Sequence, residues 1–231
     1  VIGAVILPRK FDLPRLNDSK KLSAAVRERL YDAILVQALA VKVNVVCVAD
    51  IDALNIYQAT RQGMEMLLQQ LKPRPQVALV DAMSPRVEGL KTVSLIHGDA
   101  LSASIAAASI IAKVTRDRMM VELDQQYPEY GFAEHKGYGC ARHMEAIRKY
   151  GATVEHRRSY EPVKSLELAP LAFGCSYIFD PRRPEEPRFN YVGRSGGQVL
   201  PEVEKLPVAA SSSESLPEPV PEEFTLFQDE T

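Results

Sequence analysis

The sequence predicts a layered α/β domain, and three observations carry that prediction. Short β-branched runs alternate with longer stretches of helical periodicity, the pattern of strands interleaved with helices. The 231 residues are 46% hydrophobic, enough for one well-buried core. A long Ala- and Ser-rich stretch runs from Leu101 into the 120s, and small side chains let such a helix lie close against a sheet.

Val1–Leu7 is apolar and β-branched and reads as a buried strand. It lacks the basic leader and small-residue cleavage site of a secretion signal. The sequence starts without Met, so this strand is expected to begin mid-domain, with an upstream neighbour missing. Asp18-Ser-Lys-Lys-Leu-Ser23 is a polar turn, and Ser23 is placed to N-cap a helix over residues 24–38. Val41–Val48 is Val-rich and reads as a strand. Asp52–Gln58 leads into a second helix with Met64, Leu67, Leu68 and Leu71 at helical spacing, stopped by Lys72-Pro-Arg-Pro75. Gln76–Asp81 is a short apolar run ending in an acid, the signature of a central strand, and Thr92–Ile96 is another strand. The long helix follows, and residues 140–150 form a short one.

Beyond Lys164 the character changes. Residues 165–231 hold nine of the 16 prolines, together with Ser211-Ser-Ser213 and Pro217-Glu-Pro-Val-Pro221. Such a segment buries too little surface to offset its ordering entropy. The expected organisation is a folded domain over residues 1–164 and a mostly disordered tail over 165–231. There is no internal repeat.

The tail carries 12 acidic against 5 basic residues, a net of −7, so the rest of the chain carries +5 within a total of −2. A mildly basic domain with an acidic tail suits a polyanion-binding protein. Cys47, Cys140 and Cys175 are too few and too scattered for a disulfide framework, which points to a reducing, cytoplasmic setting. No apolar run approaches the about 18 residues of a membrane span. A monomer is expected.

Asp81 and Asp99 are the candidate catalytic and metal-binding residues. Taken singly, Asp81 also reads as a turn former, and Asp99 as an N-cap worth about 1 kcal/mol. As a pair they say more. Open α/β sheets place active sites at the carboxyl ends of strands. Two carboxylates brought together there repel, and a hard divalent cation with oxygen ligands resolves the repulsion. Asp117 stands 18 residues beyond Asp99 on the same helix, about 27 Å at 1.5 Å per residue. It is too far to share a metal and is expected to pair within its Arg cluster.

Tyr138, between Gly137 and Gly139, can present its ring face for stacking on a base or sugar; packing back onto the domain is the other reading. Lys20, Lys21, Lys113, Arg116, Lys136, Arg157 and Arg158 are candidate phosphate contacts, or simply solvated charges. Cys140, His135, His143 and His156 lack the paired short spacings of a structural zinc site.

Several motifs occur in one order: Asp18-Ser-Lys-Lys-Leu-Ser23, Leu54-Asn-Ile-Tyr-Gln-Ala59, Gly98-Asp99, the Ala-rich block ending at Asp117, His135-Lys-Gly-Tyr-Gly139 and Glu155-His-Arg-Arg-Ser-Tyr160. From Val1 to about Lys164 the chain closely resembles the bacterial ribonuclease HII family, the type 2 ribonucleases H. The resemblance implies a ribonuclease H-like mixed sheet flanked by helices, with a helical C-terminal portion. It implies a phosphodiester endonuclease acting on RNA in RNA–DNA hybrids and on ribonucleotides embedded in duplex DNA, with Mn²⁺ or Mg²⁺ as cofactor. Of the family's four carboxylates, Asp81 and Asp99 match the third and fourth. Lys20 matches a phosphate-contacting lysine, and Tyr138 the tyrosine that stacks on the deoxyribose beyond the ribonucleotide. The Asp-Glu-Ala-Gly-Arg-Gly segment that supplies the other two carboxylates is absent, so this polypeptide by itself is expected to be inactive or nearly so. A non-catalytic hybrid-binding protein is the alternative. In the tail, Glu222-Glu-Phe-Thr-Leu-Phe227 loosely resembles the peptides that dock on bacterial sliding clamps, or is a chance run in a Pro/Glu-rich segment.

Overall fold

The computed structural model describes residues 1–166, 168, 171 and 176–183, and the backbone of residues 189 and 190. Strand β1 (Ile2–Ile6) pairs antiparallel with β2 (Ala40–Val45), Ile2 facing Asn44 and Ile6 facing Ala40. Helix α1 (Ala24–Gln37) connects them and buries Val26, Leu30 and Ile34, one apolar stripe at a spacing of four. Ser23 stands at its N-cap as expected, although its side chain makes no capping bond.

The second strand stops short of its predicted end, because Val48 opens helix α2 (Val48–Leu54). The single helix expected after it is two. Asn55, at φ 67°, separates α2 from α3 (Ile56–Gln69), and its side chain accepts the Gln58 N–H at 3.0 Å. Asn tolerates left-handed backbone and caps well, so one residue both ends a helix and starts the next.

Strands β3 (Val77–Asp81) and β4 (Lys91–Leu95) run parallel, Asp81 facing Leu95. Sequence pattern makes β3 a central strand, yet among the described residues it pairs with β4 alone. The reason is a cavity of about 240 Å³ lined by both β1 and β3 and closed by Met64 and Leu67 of α3. The mixed sheet is therefore split in two along this cavity, with no ladder between β1 and β3.

Past β4, helix α4 (Gly98–Leu101) and helix α5 (Ala103–Gln126) are separated by Ser102 in extended geometry. The long helix buries Ala107, Ile110, Ile111 and Val114 in one core with Leu30, Ile34, Val41 and Val43. The Ala-rich face does what its composition predicts. At Gly3 the contact is backbone to backbone, and a Cβ there would lie 2.4 Å from the Ala108 carbonyl oxygen. Helices α6 (Phe132–His135) and α7 (Ala141–Tyr150) form a separate aromatic core with Tyr127, Tyr130, Ile147 and Val163.

Part of the segment expected to be disordered is folded. Strand β5 (Tyr177–Phe179) adds antiparallel to β2, and the backbone of β6 (Phe189–Asn190) pairs with β5. Ile178 is fully buried, Ser176 Oγ accepts the Cys47 N–H at 2.9 Å, and Asp180 is held by Arg182 at 2.9 Å. A three-residue strand in a Pro-rich context has too few residues to show periodicity. The clamp-peptide candidate at residues 222–227 lies outside the described residues. Among the described residues no helix is long and apolar enough to cross a membrane.

Gly3→Ala is expected to force α5 off β1 and to destabilise the fold by about 1–3 kcal/mol, the usual cost of overpacking. Urea unfolding monitored by circular dichroism measures it as a lowered midpoint with unchanged slope.

Candidate active site

β3 ends at Asp81, and the next residue turns the chain at φ 48° while its N–H bonds the Leu95 carbonyl at 2.9 Å. β4 ends level with it, and His97 in left-handed geometry swings the chain into α4. The Gly98 N–H then donates to Asp81 Oδ1 at 2.7 Å. Glycine leaves room for this close approach, since a Cβ at Gly98 would lie 2.6 Å from the tip of Ile105 and 3.1 Å from Asp81 Oδ1, displacing one and crowding the other. Asp99 follows in the first turn of α4, not at the N-cap, and so stands beside Asp81.

A third acid joins them. Asp18 hydrogen-bonds Asp99, while its own Oδ1 accepts the Lys20 N–H at 2.9 Å. Burial first, then the charges of Asp18 and Asp81 and the bond to Asp18, hold the Asp99 carboxyl above its ordinary range; the Ala100 N–H opposes them. Asp18 was not among the sequence candidates, which took its motif only for a lysine. Its role depends on the turn Ser19–Lys21 being tied to α5, where Ser19 Oγ and Ser109 Oγ share a hydrogen bond at 2.8 Å. The signal available was an acid in a motif already singled out.

Lys20 is exposed on this turn, two residues from Asp18. Lys21 pairs with Asp18 at 3.8 Å. Tyr138 is 45% exposed. Two cations of α5 lie over that ring, Lys113 Nζ at 5.8 Å and Arg116 Cζ at 5.4 Å from the centroid. Lys136, half-buried at φ 51°, sets the loop before it. Asp117 is an ion-pairing residue, but its partners are Lys113 at 3.0 Å, one turn back on α5, and Arg27 of α1 at 3.7 Å instead of the arginines flanking it. Arg157 and Arg158 belong to a different feature. Arg157 lies over Tyr160, and the Arg158 N–H is held by Asp52 at 2.7 Å.

The arrangement comprises clustered carboxylates at a strand end and an exposed aromatic face under two cations. The first can take a hard cation and the second an unstacked or junction nucleotide.

Comparison with known proteins bears directly on this site. Residues 1–163 match the family model described as Ribonuclease HII. The chain is 54% identical over 166 residues to the Ribonuclease HII of Bacillus cereus strain B4264, covering 72% of this chain and 64% of the relative. Identity and coverage are the same for the Ribonuclease HII of Geobacillus kaustophilus. The chain thus spans 64% of the length of these relatives. Among solved structures it is similar to the ribonuclease H2 of Pyrococcus horikoshii OT3, at 27% identity and a TM-score of 0.57, covering 65% of this chain and 79% of that one. It is also similar to the ribonuclease HII of Archaeoglobus fulgidus solved in complex with PCNA, at 27% identity and a TM-score of 0.53, covering 65% and 83%. With the family model matched over most of its length, the chain belongs to the ribonuclease HII family.

Proposed function

We propose that this chain is the larger part of a divalent-metal endonuclease that cleaves RNA in RNA–DNA hybrids and at ribonucleotides embedded in duplex DNA. One observation carries the reading: in a ribonuclease HII family chain, Asp81 and Asp99 stand side by side at the carboxyl end of a parallel strand pair. Oxygen-only donors of like charge, one of them held above its ordinary range by its neighbours, fit a hard cation such as Mg²⁺ or Mn²⁺. Asp81 and Asp99 would hold it, and when bound it would supply an activated water for in-line attack at phosphorus and stabilise the departing oxygen.

The chain's own residues do the rest. The Gly98 N–H fixes one oxygen of Asp81, and the other oxygen would be the ligand. Lys20 would hold a phosphate near the acids, with Lys113, Arg116 and Lys136 following the backbone beside Tyr138. The Tyr138 ring would stack on the deoxyribose that follows the ribonucleotide, so a junction is read as two unlike sugars. Hydrolysis puts the water oxygen on phosphorus and breaks its bond to the 3′ oxygen, which leaves protonated; the products are a 3′-OH and a 5′-phosphate.

The family resemblance implies two further carboxylates on an Asp-Glu-Ala-Gly-Arg-Gly segment. The cavity between β1 and β3 is lined by both strands and by Asp81, so a strand added between them would lie beside the acids. A second reading, hybrid binding without cleavage, is favoured by the fact that the described residues contain no group of three or more ligating side chains able to hold a metal. The Archaeoglobus relative was solved with PCNA, and a clamp contact through residues 222–227 is the corresponding proposal for this chain. The reading also carries a cytoplasmic, monomeric protein with it.

Cleavage of a labelled duplex containing one ribonucleotide tests the proposal. The chain extended upstream by the Asp-Glu-Ala-Gly-Arg-Gly segment is expected to cut in Mn²⁺ or Mg²⁺, while the 231-residue chain remains at background. Binding without cleavage by both would select the second reading. In the extended protein Asp99→Asn should abolish turnover while leaving the thermal midpoint nearly unchanged; normal turnover would refute the assignment. Tyr138→Ala should weaken junction binding by about 1–3 kcal/mol, the worth of a stacked ring, with less effect on a uniform hybrid. Carboxyl NMR of Asp18→Asn should show Asp99 titrating closer to its ordinary range. Part of the upward shift should persist, because burial, its largest cause, is untouched.

A further inference from the structure

Two sequence motifs meet in the aromatic core beside Tyr138. His143 of α7 and His156 of the following loop are both buried, and their Nε2 atoms lie 3.1 Å apart. The outer nitrogens settle where the protons sit. His156 Nδ1 faces the Thr153 N–H at 3.0 Å and can only accept there, so its proton is on Nε2. The Thr153 hydroxyl, 2.8 Å from the same nitrogen, already accepts the Glu155 N–H and is free to donate. His156 therefore donates to His143 Nε2, which leaves the His143 proton on Nδ1. That Nδ1 lies 3.0 Å from the Tyr138 carbonyl oxygen, which can only accept. Every donor in the chain meets an acceptor.

A shared cation is not the better account of the facing nitrogens. It would need both Nε2 atoms unprotonated, driving the His156 proton onto Nδ1 against the Thr153 N–H. His135 completes the arrangement in the same way. Its Nε2 bonds the Tyr130 carbonyl at 2.8 Å, its Nδ1 accepts the Gly137 N–H at 3.2 Å, and its ring stacks on His143 at 4.5 Å. The loop between holds two successive left-handed residues, Lys136 at φ 51° and Gly137 at φ 79°. A backbone of that kind is held only when its surroundings over-determine it.

We propose that His143 and His156 are positioning residues for Tyr138: a directed relay from Thr153 through His156 and His143 to the Tyr138 carbonyl fixes the loop that presents the ring, and so sets how sharply the protein distinguishes a ribonucleotide–deoxyribonucleotide junction from a uniform hybrid. This rests on the role given to Tyr138 above. Neither imidazole touches substrate; both act through the loop.

The relay requires both rings neutral. A proton added to His143 Nε2 would confront the His156 N–H, and one added to His156 Nδ1 would confront the Thr153 N–H. The surroundings hold them so. Burial, then His143, lower His156 to about 4 against the bond from Thr153. Burial also lowers His143, with the Tyr138 carbonyl opposing and His135 assisting. The titratable groups facing the pair are His135, stacked on His143, and Tyr130, 5.4 Å from His156; Tyr127, Tyr150 and Glu129 act on Tyr130, and Glu155, next to His156 in the chain, is itself pushed toward its neutral form by burial. An unfolded His takes its proton near 6.5. In the folded protein the relay therefore persists until pH approaches about 4, where His156 takes a proton, while the stability it lends is full above about 6.5 and is lost as pH falls toward 4.

Two measurements test this. Long-range ¹H–¹⁵N spectra at pH 7 should show His156 protonated on Nε2 and His143 on Nδ1, and any other pair of tautomers overturns the relay. Fluorescence anisotropy of the full chain should then compare a single-ribonucleotide duplex with a uniform RNA–DNA hybrid. His143→Leu should lose junction preference on the order of fivefold or more, toward the Tyr138→Ala value. His143→Gln, whose amide can accept and donate at the same spacing, should restore it. His156→Asn keeps the acceptor for Thr153 but cannot reach residue 143, so it should lose preference even if His143→Leu fails to fold. Folded relay-breaking variants with wild-type preference would overturn the proposal. If the wild-type chain binds neither duplex, the nuclease reading fails and takes the specificity role with it. The tautomer spectra still decide whether the relay exists.

Discussion

The candidate site depends on one hydrogen bond, from the Gly98 amide to Asp81 Oδ1 at 2.7 Å. It joins the end of β3 to the start of α4 across a break in the chain's direction made by His97. Without it Asp81 would be a turn carboxylate and Asp99 a residue of a one-turn helix. Residue 98 carries no Cβ, which would crowd that oxygen and displace the tip of Ile105 from α5. The helix is in turn seated on β1 through Gly3. Two missing side chains thus set the relation between sheet and acids.

This tight seating explains the electrostatic character of the cluster. Asp18, Asp81 and Asp99 come from three elements whose positions are fixed by packing, so the acids cannot move apart to relieve their repulsion. Burial first, and this repulsion second, make Asp99 hold its proton more strongly. Positively charged groups are placed around this cluster but do not neutralise it: Lys21 reaches Asp18 only at 3.8 Å, and Lys113 is engaged by Asp117. Such a site stores electrostatic repulsion that a suitable cation would release.

Much of this was legible in the sequence. β1, α1 and α7 announce themselves by β-branched or helical periodicity, and Asp81 and Asp99 by their places at a strand end and before an Ala-rich helix. What was not legible is tertiary. Asn55 divides a continuous helical pattern because its side chain caps the second half, and pattern alone does not distinguish a capping Asn from a tolerated one. β5 is too short to show alternation. Asp18 matters only because Ser19 is tied to Ser109, ninety residues away. The three histidines looked like poor zinc ligands by spacing. Only their hydrogen-bond partners, which spacing does not encode, reveal a shared direction. Val77–Asp81 looked central because it is apolar, but its second neighbour is a cavity wall instead of a strand.

That cavity has a consequence for how the protein behaves among other copies of itself. Strand edges lining a cleft are templates for any extended backbone with alternating apolar side chains. A second copy of the chain meets the same apolar edge, since Ile2–Ile6 is apolar throughout. The protection natural sheets gain from charges, prolines or bulges at their rims is weak along Ile2–Ile6, which has none of the three. Colloidal stability and the candidate site therefore share one wall of the fold.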